Sequence, residues 1–264
     1  YNLADTIIVG RFVGVEALAA VGSVGGLNYL VLGFVNGIAC GFSIPISWTF
    51  GAKDYVEMRR YTANAVWLSV FFAAVLTVVT VAMTRSILVW TNTPDNIIDL
   101  ADIYIRTIFI GIPFTLLYNM TSALMRALGD SKRPLYFLIV SSVTNVILDL
   151  LFVAVLRWGV WSAALATIIS QALSAVLCVI HLAKKGTIYQ LKLSALRLDG
   201  PLLREILRYG LPAGVQNSVI ALANVVVQTN INSFGKVAMA AYGAYSKLEG
   251  FAFLPVTSFT MALT

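Results

Sequence analysis

Asn145 and Asp149 stand one helical turn apart inside a stretch, residues 141–171, that is otherwise apolar almost throughout. Side chains four residues apart share one face of a helix, so an amide and a carboxylate lie side by side in apolar surroundings. Asp5 and Thr167, from two other apolar segments, extend the set to two carboxylates, an amide carbonyl and a hydroxyl. These are hard oxygen ligands suited to a small hard cation, and the same carboxylates could instead share protons. The sequence does not choose between Na⁺ and H⁺.

The elements that must position these residues follow from composition. Of 264 residues 59% are apolar and only 11% charged, with a mean hydropathy of +0.86, where a soluble domain carries about 25% charged residues. The chain belongs in a bilayer. A span needs about 20 mostly apolar residues, which predicts spans near 25–47, 64–84, 103–124, 135–156, 160–182 and 211–233. Two further spans are cut by the chain ends, one finishing near Ile8 to Phe12 and one running from about Ala240 to Thr264. Starting at Tyr1 and stopping inside an apolar run, the chain reads as a fragment, and its start lacks the basic and apolar regions of a signal peptide.

A carboxylate in hydrocarbon is costly unless paired, protonated or hydrated, so depth matters. With Arg11 and Arg157 marking the outer interface and about 1.5 Å of rise per residue, Asp5 lies roughly 9 Å deep, Asp149 roughly 12, Thr167 roughly 15 and Asn145 roughly 18. Four oxygen-bearing side chains from three helices thus fall within about two turns of one another. The competing expectation is structural: Asn145 and Thr167 as ordinary interhelical hydrogen-bonding residues, with Asp149 paired to a basic side chain. Against it, the sequence places no Lys or Arg at matching depth.

Basic residues give the orientation. Twelve of the 18 Lys and Arg fall in alternate loops, around Lys53 to Arg60, Arg126 to Arg133 and Lys184 to Arg208, which places those loops in the cytoplasm. Topology therefore accounts for most of the net charge of +6, and no nucleic acid partner is assigned to it. Cys40 and Cys178 sit singly in apolar spans, as small buried thiols do.

Sliding the chain by 221 residues lays 14–27 over 235–248 with six identities in fourteen positions. The offset covers six spans, so the copies predict two parallel halves related by an axis along the membrane normal. The predicted organisation is a first bundle at 1–183, a cytoplasmic linker at 184–210 and the start of a second bundle at 211–264. In the linker, Asp199 can cap and Pro201 can occupy the first turn of a short interfacial amphipathic helix, with a break at Gly210 and Pro212. His181, Lys184 and Lys185 read as solvated interface. Among Asn28, Asn36, Asn119, Gln171, Gln216, Asn217, Asn224, Gln228, Asn230 and Asn232, some are expected to line a central cavity whose membership the sequence leaves unknown. Trp90, Trp158 and Trp161 fit interfacial belts.

The segments "YNLADTIIVGRFVGVEALAAVG" (1–22), "GAKD" (51–54), "LMRALGDSKRPLYF" (124–137), "NVILD" (145–149), "AALATIISQ" (163–171) and "GLPAGVQNSV" (210–219) resemble the multidrug and toxic compound extrusion (MATE) family, DinF-like branch. That resemblance implies an all-α polytopic membrane fold of two six-helix bundles and drug export driven by Na⁺ or H⁺ return. It also implies that Asp5, Asn145, Asp149 and Thr167 match the first-bundle cation site, as metal ligands only if Na⁺ is the coupling ion. Trp48, Ser162 and Ile220 depart from frequent family residues, Ile220 standing where another branch carries a membrane Glu. The expectation is a monomeric multi-pass protein of the inner (plasma) membrane that is not an enzyme. Small organic compounds and the bilayer are its expected partners, and no cofactor is expected besides the coupling ion. The alternative is a lipid-linked saccharide flippase, which would favour a larger, more basic cavity. An intramembrane aspartyl protease is disfavoured because "NLADTI" and "VILDLL" lack its Gly-x-Gly-Asp motif.

Overall fold

The computed structural model describes residues 2–91, 93, 97–183 and 198–232, with 252, 253, 255, 256, 258 and 259 near the end. Every regular element among them is helical: α1 (Asn2–Phe12), α2 (Val15–Ser23), α3 (Gly25–Gly51), α4 (Tyr55–Trp90), α5 (Ile98–Ile110), α6 (Ile112–Ala127), α7 (Lys132–Asp149), a π-helical turn (Leu150–Val155), α8 (Val160–Leu182) and α9 (Gly200–Asn232). Four stretches are long and apolar enough to cross a membrane, and α5 with α6 makes a fifth if that bent pair is one span. Helices are the expected solution, because a lipid-exposed backbone must satisfy its own polar groups.

The α5–α6 pair departs from the predicted span at 103–124. It bends by 43° at the break around Gly111, where Pro113 lacks an N–H and its ring clashes with the carbonyl four residues back. α8 passes close at the same point: a Cβ on Gly111 would come within 2.6 Å of Ile168. The predicted span at 160–182 coincides with α8. Between α7 and α8, the chain widens into the π turn directly after Asp149.

Where the sequence predicts an interfacial helix and then a break, α9 runs unbroken from Gly200 through Gly210 and Pro212. Its N-terminus starts as predicted, with the Leu203 N–H donating to the Asp199 carbonyl at 2.9 Å. Proline is tolerated inside a membrane helix when neighbouring elements compensate the freed backbone group, and here α3 supports α9 along the affected turn. The described part of the predicted span at 211–233 lies within α9.

α3 is the centre of the packing. Val35, Ile38, Ala39, Phe42 and Ile46 on it are completely buried, against α4, α6 and α9. On α8, Ser162, Ala163, Ala164, Ala166 and Ser170 are also fully buried; such small side chains let α5, α6 and α7 come close. α4 by contrast exposes Val70, Phe71 and Val78, a lipid-facing surface in a bilayer. Arg60 of α4 pairs with Asp199 at the start of α9, so the loop at 51–60 and the segment from 198 lie on one side, as the basic residues predict. Residues 184–197, the second repeat copy at 235–248 and most of the last predicted span lie outside the described residues.

Candidate functional site: a buried oxygen cluster beside a cavity

α1, α7 and α8 bring Asp5, Asn145, Asp149 and Thr167 together. Asn145 Nδ2 donates to Thr167 Oγ1 at 3.3 Å. Thr167 Oγ1 lies 3.0 Å from Asp5 Oδ2 and 3.1 Å from the Ala163 carbonyl, and its single proton can serve only one of these at a time. Asp149 lies near enough to Asp5 for the two carboxyl groups to interact. All four residues are buried, Asn145 and Asp149 completely.

Eight buried side-chain polar atoms among the described residues have no protein partner, and four of them are here: Asp5 Oδ1, Asn145 Oδ1 and both oxygens of Asp149. Buried polar groups are ordinarily paired. Four acceptor oxygens without a protein donor of their own form an arrangement that a cation or protons would complete. Two facing carboxylates cannot both remain charged away from water without such neutralisation. No group of three or more His, Cys, Asp or Glu occurs among the described residues; this donor set is two carboxylates plus neutral oxygens, suited to a hard ion of low charge.

Tyr104, which the sequence reading passes over, belongs to the same region. It is 3% exposed on α5 and feels the charge of both Asp5 and Asp149. It also lines a cavity of about 400 Å³ together with Thr6, Asn28, Tyr29, Asn36 and Asn217. Thr6 follows Asp5 on α1, so the cluster and the cavity share a wall. The signal for Tyr104 was its neighbourhood: Asp102, Tyr104 and Arg106 give an apolar segment an unusual polar density.

Of the polar residues left unassigned, Asn28, Asn36 and Asn217 line the cavity, as does Ile220. Gln171 instead bonds to Thr115 on α6, a structural contact. Ser162 is buried and donates to the Gly159 carbonyl at 2.6 Å, and Trp48 packs edge-on against Tyr209 of α9 at 5.1 Å. His181 is not simply solvated: its Nε2 lies 2.8 Å from Arg133 Nη1 and its ring lies beside Phe137.

Arg106 on α5 is held by Asp102, one turn before it on the same helix, at 3.1 Å, so its charge is already matched.

Comparison with known proteins gives the family. A family model described as MatE matches residues 1–151. The chain is 32% identical over its whole length to a probable multidrug resistance protein, YoeA, of Bacillus subtilis strain 168, and covers 58% of that protein. It follows a crystal structure of MATE in the bent conformation over 99% of its own residues and 59% of that chain, with a TM-score of 0.91 and 25% identity. An inward-facing multidrug resistance MATE family transporter of the MOP superfamily matches with a TM-score of 0.85 and 25% identity, over 97% of this chain and 58% of the other. The chain thus spans a little over half the length of the proteins it matches. With the family model covering more than half of its residues and the helices following solved transporters almost end to end, this multi-pass membrane chain belongs to the MatE family.

Proposed function

We propose that the full-length protein exports organic compounds in exchange for Na⁺ or H⁺, with Asp5, Asn145, Asp149 and Thr167 holding the coupling ion. The observation that carries this reading is the cluster of four unpartnered, buried acceptor oxygens. As Na⁺ enters, the carboxylates and the Asn145 and Thr167 oxygens replace its water; as H⁺ enters, the two carboxyl groups take protons instead. Either form neutralises the pair, and loss of the ion restores repulsion between Asp5 and Asp149. Because Tyr104 and Thr6 border both cluster and cavity, that change acts on the cavity wall, where Asn28, Asn36 and Asn217 offer amide hydrogen bonds to a substrate.

The names of the relatives, a multidrug resistance protein and multidrug export proteins, support the choice of organic compounds. A saccharide flippase would favour basic groups in its cavity, and none of the described lining residues is Lys or Arg. The test is uptake of a fluorescent cationic dye by inside-out vesicles carrying the full-length protein, under separately imposed Na⁺ and H⁺ gradients. Dye movement that follows one imposed gradient and collapses with it is expected. Movement indifferent to both gradients would overturn the coupling role, and no movement of any dye in a broad panel would overturn export.

A further inference from the structure

The cavity is built from the outer half of its helices. Its residues on α3 run from Gly25 to Asn36, and those on α9 are Asn217 and Ile220. Toward the cytoplasm the same two helices close on each other. A Cβ at Gly37 would meet the Ala213 carbonyl at 2.5 Å, and one at Gly41 would meet the Gly210 Cα at 2.5 Å. The backbones are thus in contact, and Trp48 against Tyr209 continues the seal. Beyond that seal lies a polar network between the first turns of α4 and α9. Arg60 pairs with the Asp199 carboxylate, and the Tyr61 hydroxyl donates to Glu205 Oε2. The Asp199 N–H donates to Asn64 Oδ1 at 2.9 Å while Asn64 Nδ2 donates to the Arg60 carbonyl at 2.8 Å.

We propose that Arg60, Tyr61 and Asn64 of α4 with Asp199 and Glu205 of α9 form a latch that holds the cavity shut toward the cytoplasm, and that its release admits substrate from that side. The proposal rests on the transport reading above. Among the described residues α9 packs chiefly on α3 and α4, so parting it from them breaks this network, the glycine contact and the apolar packing of α9 against Phe34, Ile38 and Phe42 of α3. The two kinds of contact differ in reach. Backbone packing between glycines is lost with a small separation, whereas long Arg and Glu side chains can follow a displacement. The polar network therefore guides α9 back onto the same register after each opening. Its composition also suits repeated breaking: Arg60 is 59% exposed, so water replaces its lost partner at small cost. Tyr61 is 5% exposed and makes the better-shielded contact of the two.

The test uses the full-length protein with its own cysteines replaced and one reporter, Ala213→Cys, placed in the seal. A membrane-impermeant maleimide is applied from the cytoplasmic face in inside-out vesicles. Arg60→Glu and Tyr61→Phe should each speed labelling roughly twofold to fivefold, the range an exposed or half-shielded pair allows. Arg60→Glu combined with Asp199→Arg should return it to the parent rate. Labelling from the outer face should not rise. Unchanged cytoplasmic labelling in both single variants overturns the latch, and so does a rise that the charge swap fails to reverse. If Arg60→Glu does not fold, Tyr61→Phe still reads the hydroxyl contact alone. Because labelling needs no transported dye, a protein that labels as expected but exports nothing refutes the transport reading and leaves the latch standing.

Discussion

At the Asp5–Asp149 cluster, carboxylates face each other with acceptor oxygens left over, whereas at the base of α9 both carboxylates meet a donor from α4. Both places join helices distant in sequence and both carry two acidic side chains. They differ in what the protein itself supplies. The latch is complete as it stands and can be understood from protein contacts alone. The cluster is not, because four of its acceptor oxygens have no protein partner. Asp102 sharpens the contrast from within the membrane: it is nearly as buried as Asp5, yet Arg106 neutralises it on the same helix. Burial of a carboxylate therefore does not by itself mark a site; burial with acceptors left unmatched does.

The largest effect that contrast predicts is at Asp149. Asp149→Asn keeps the size of the side chain, removes the charge and supplies an N–H₂ donor to a group of acceptors that lacks one. Coupled efflux should fall by about tenfold or more, the factor that ~1.4 kcal/mol of lost coupling represents. The amount of folded protein in the membrane, and its melting temperature in detergent, should stay level or rise. A residue kept for structure would behave in reverse, losing stability and retaining transport. Efflux is to be measured per folded protein, alongside Val78→Ala on the lipid-facing side of α4, where 68% exposure leaves nothing to disturb. Efflux equal to the Val78→Ala control would remove Asp149 from the mechanism.

The next effect tests packing rather than charge. Gly41 sits against the backbone of α9 at Gly210 and Tyr209, while the space around Gly51 at the end of the same helix is open. Gly41→Ala must push two backbones apart, and overpacking of that kind costs about 1–3 kcal/mol. Gly51→Ala meets nothing. Thermal unfolding of the two variants in detergent should therefore separate clearly, with Gly41→Ala the lower. Equal midpoints would mean that α3 and α9 are not in contact in the protein's resting state, and the seal below the cavity would fall with them.

These residues also show what can be read without a structure. The α8 boundaries, the common side of the loop at 51–60 and the segment from 198, and the meeting of Asp5, Asn145 and Thr167 follow from hydropathy, basic residues and helical rise, which are additive along one helix. What was not legible depends on a second helix. Gly111 and Pro113 announce a possible bend, but not that Ile168 of α8 passes over Gly111. Pro212 looks like a break and is not one, because α3 supports the helix there. Arg60 and Asp199 count in a sequence only as charges on one side of the membrane, and 139 residues separate the partners. Tyr104 reads as one more aromatic in an apolar run until α1 and α7 set both carboxylates beside it.

The smallest effect belongs to Arg85 and Asp99, and it tests whether exposure rather than distance decides what a pair is worth. The two side chains are 2.9 Å apart, closer than Arg106 and Asp102 at 3.1 Å, yet they are 59% and 75% exposed. Water screens such a pair and both side chains lose rotamer freedom in making it, so Arg85→Ala should shift stability by no more than ~0.5 kcal/mol, less still at high salt. Arg106→Ala leaves Asp102, with its side chain only 12% exposed, unneutralised in its place, and should cost several times more. Asp102→Asn added to Arg106→Ala should recover much of that loss, since it removes the stranded charge. Chemical denaturation of the three variants and the parent in detergent reads all of this on one scale. If Arg85→Ala proves as costly as Arg106→Ala, proximity alone sets the strength of these pairs, and the distinction between the unmatched cluster and the matched latch loses its physical basis.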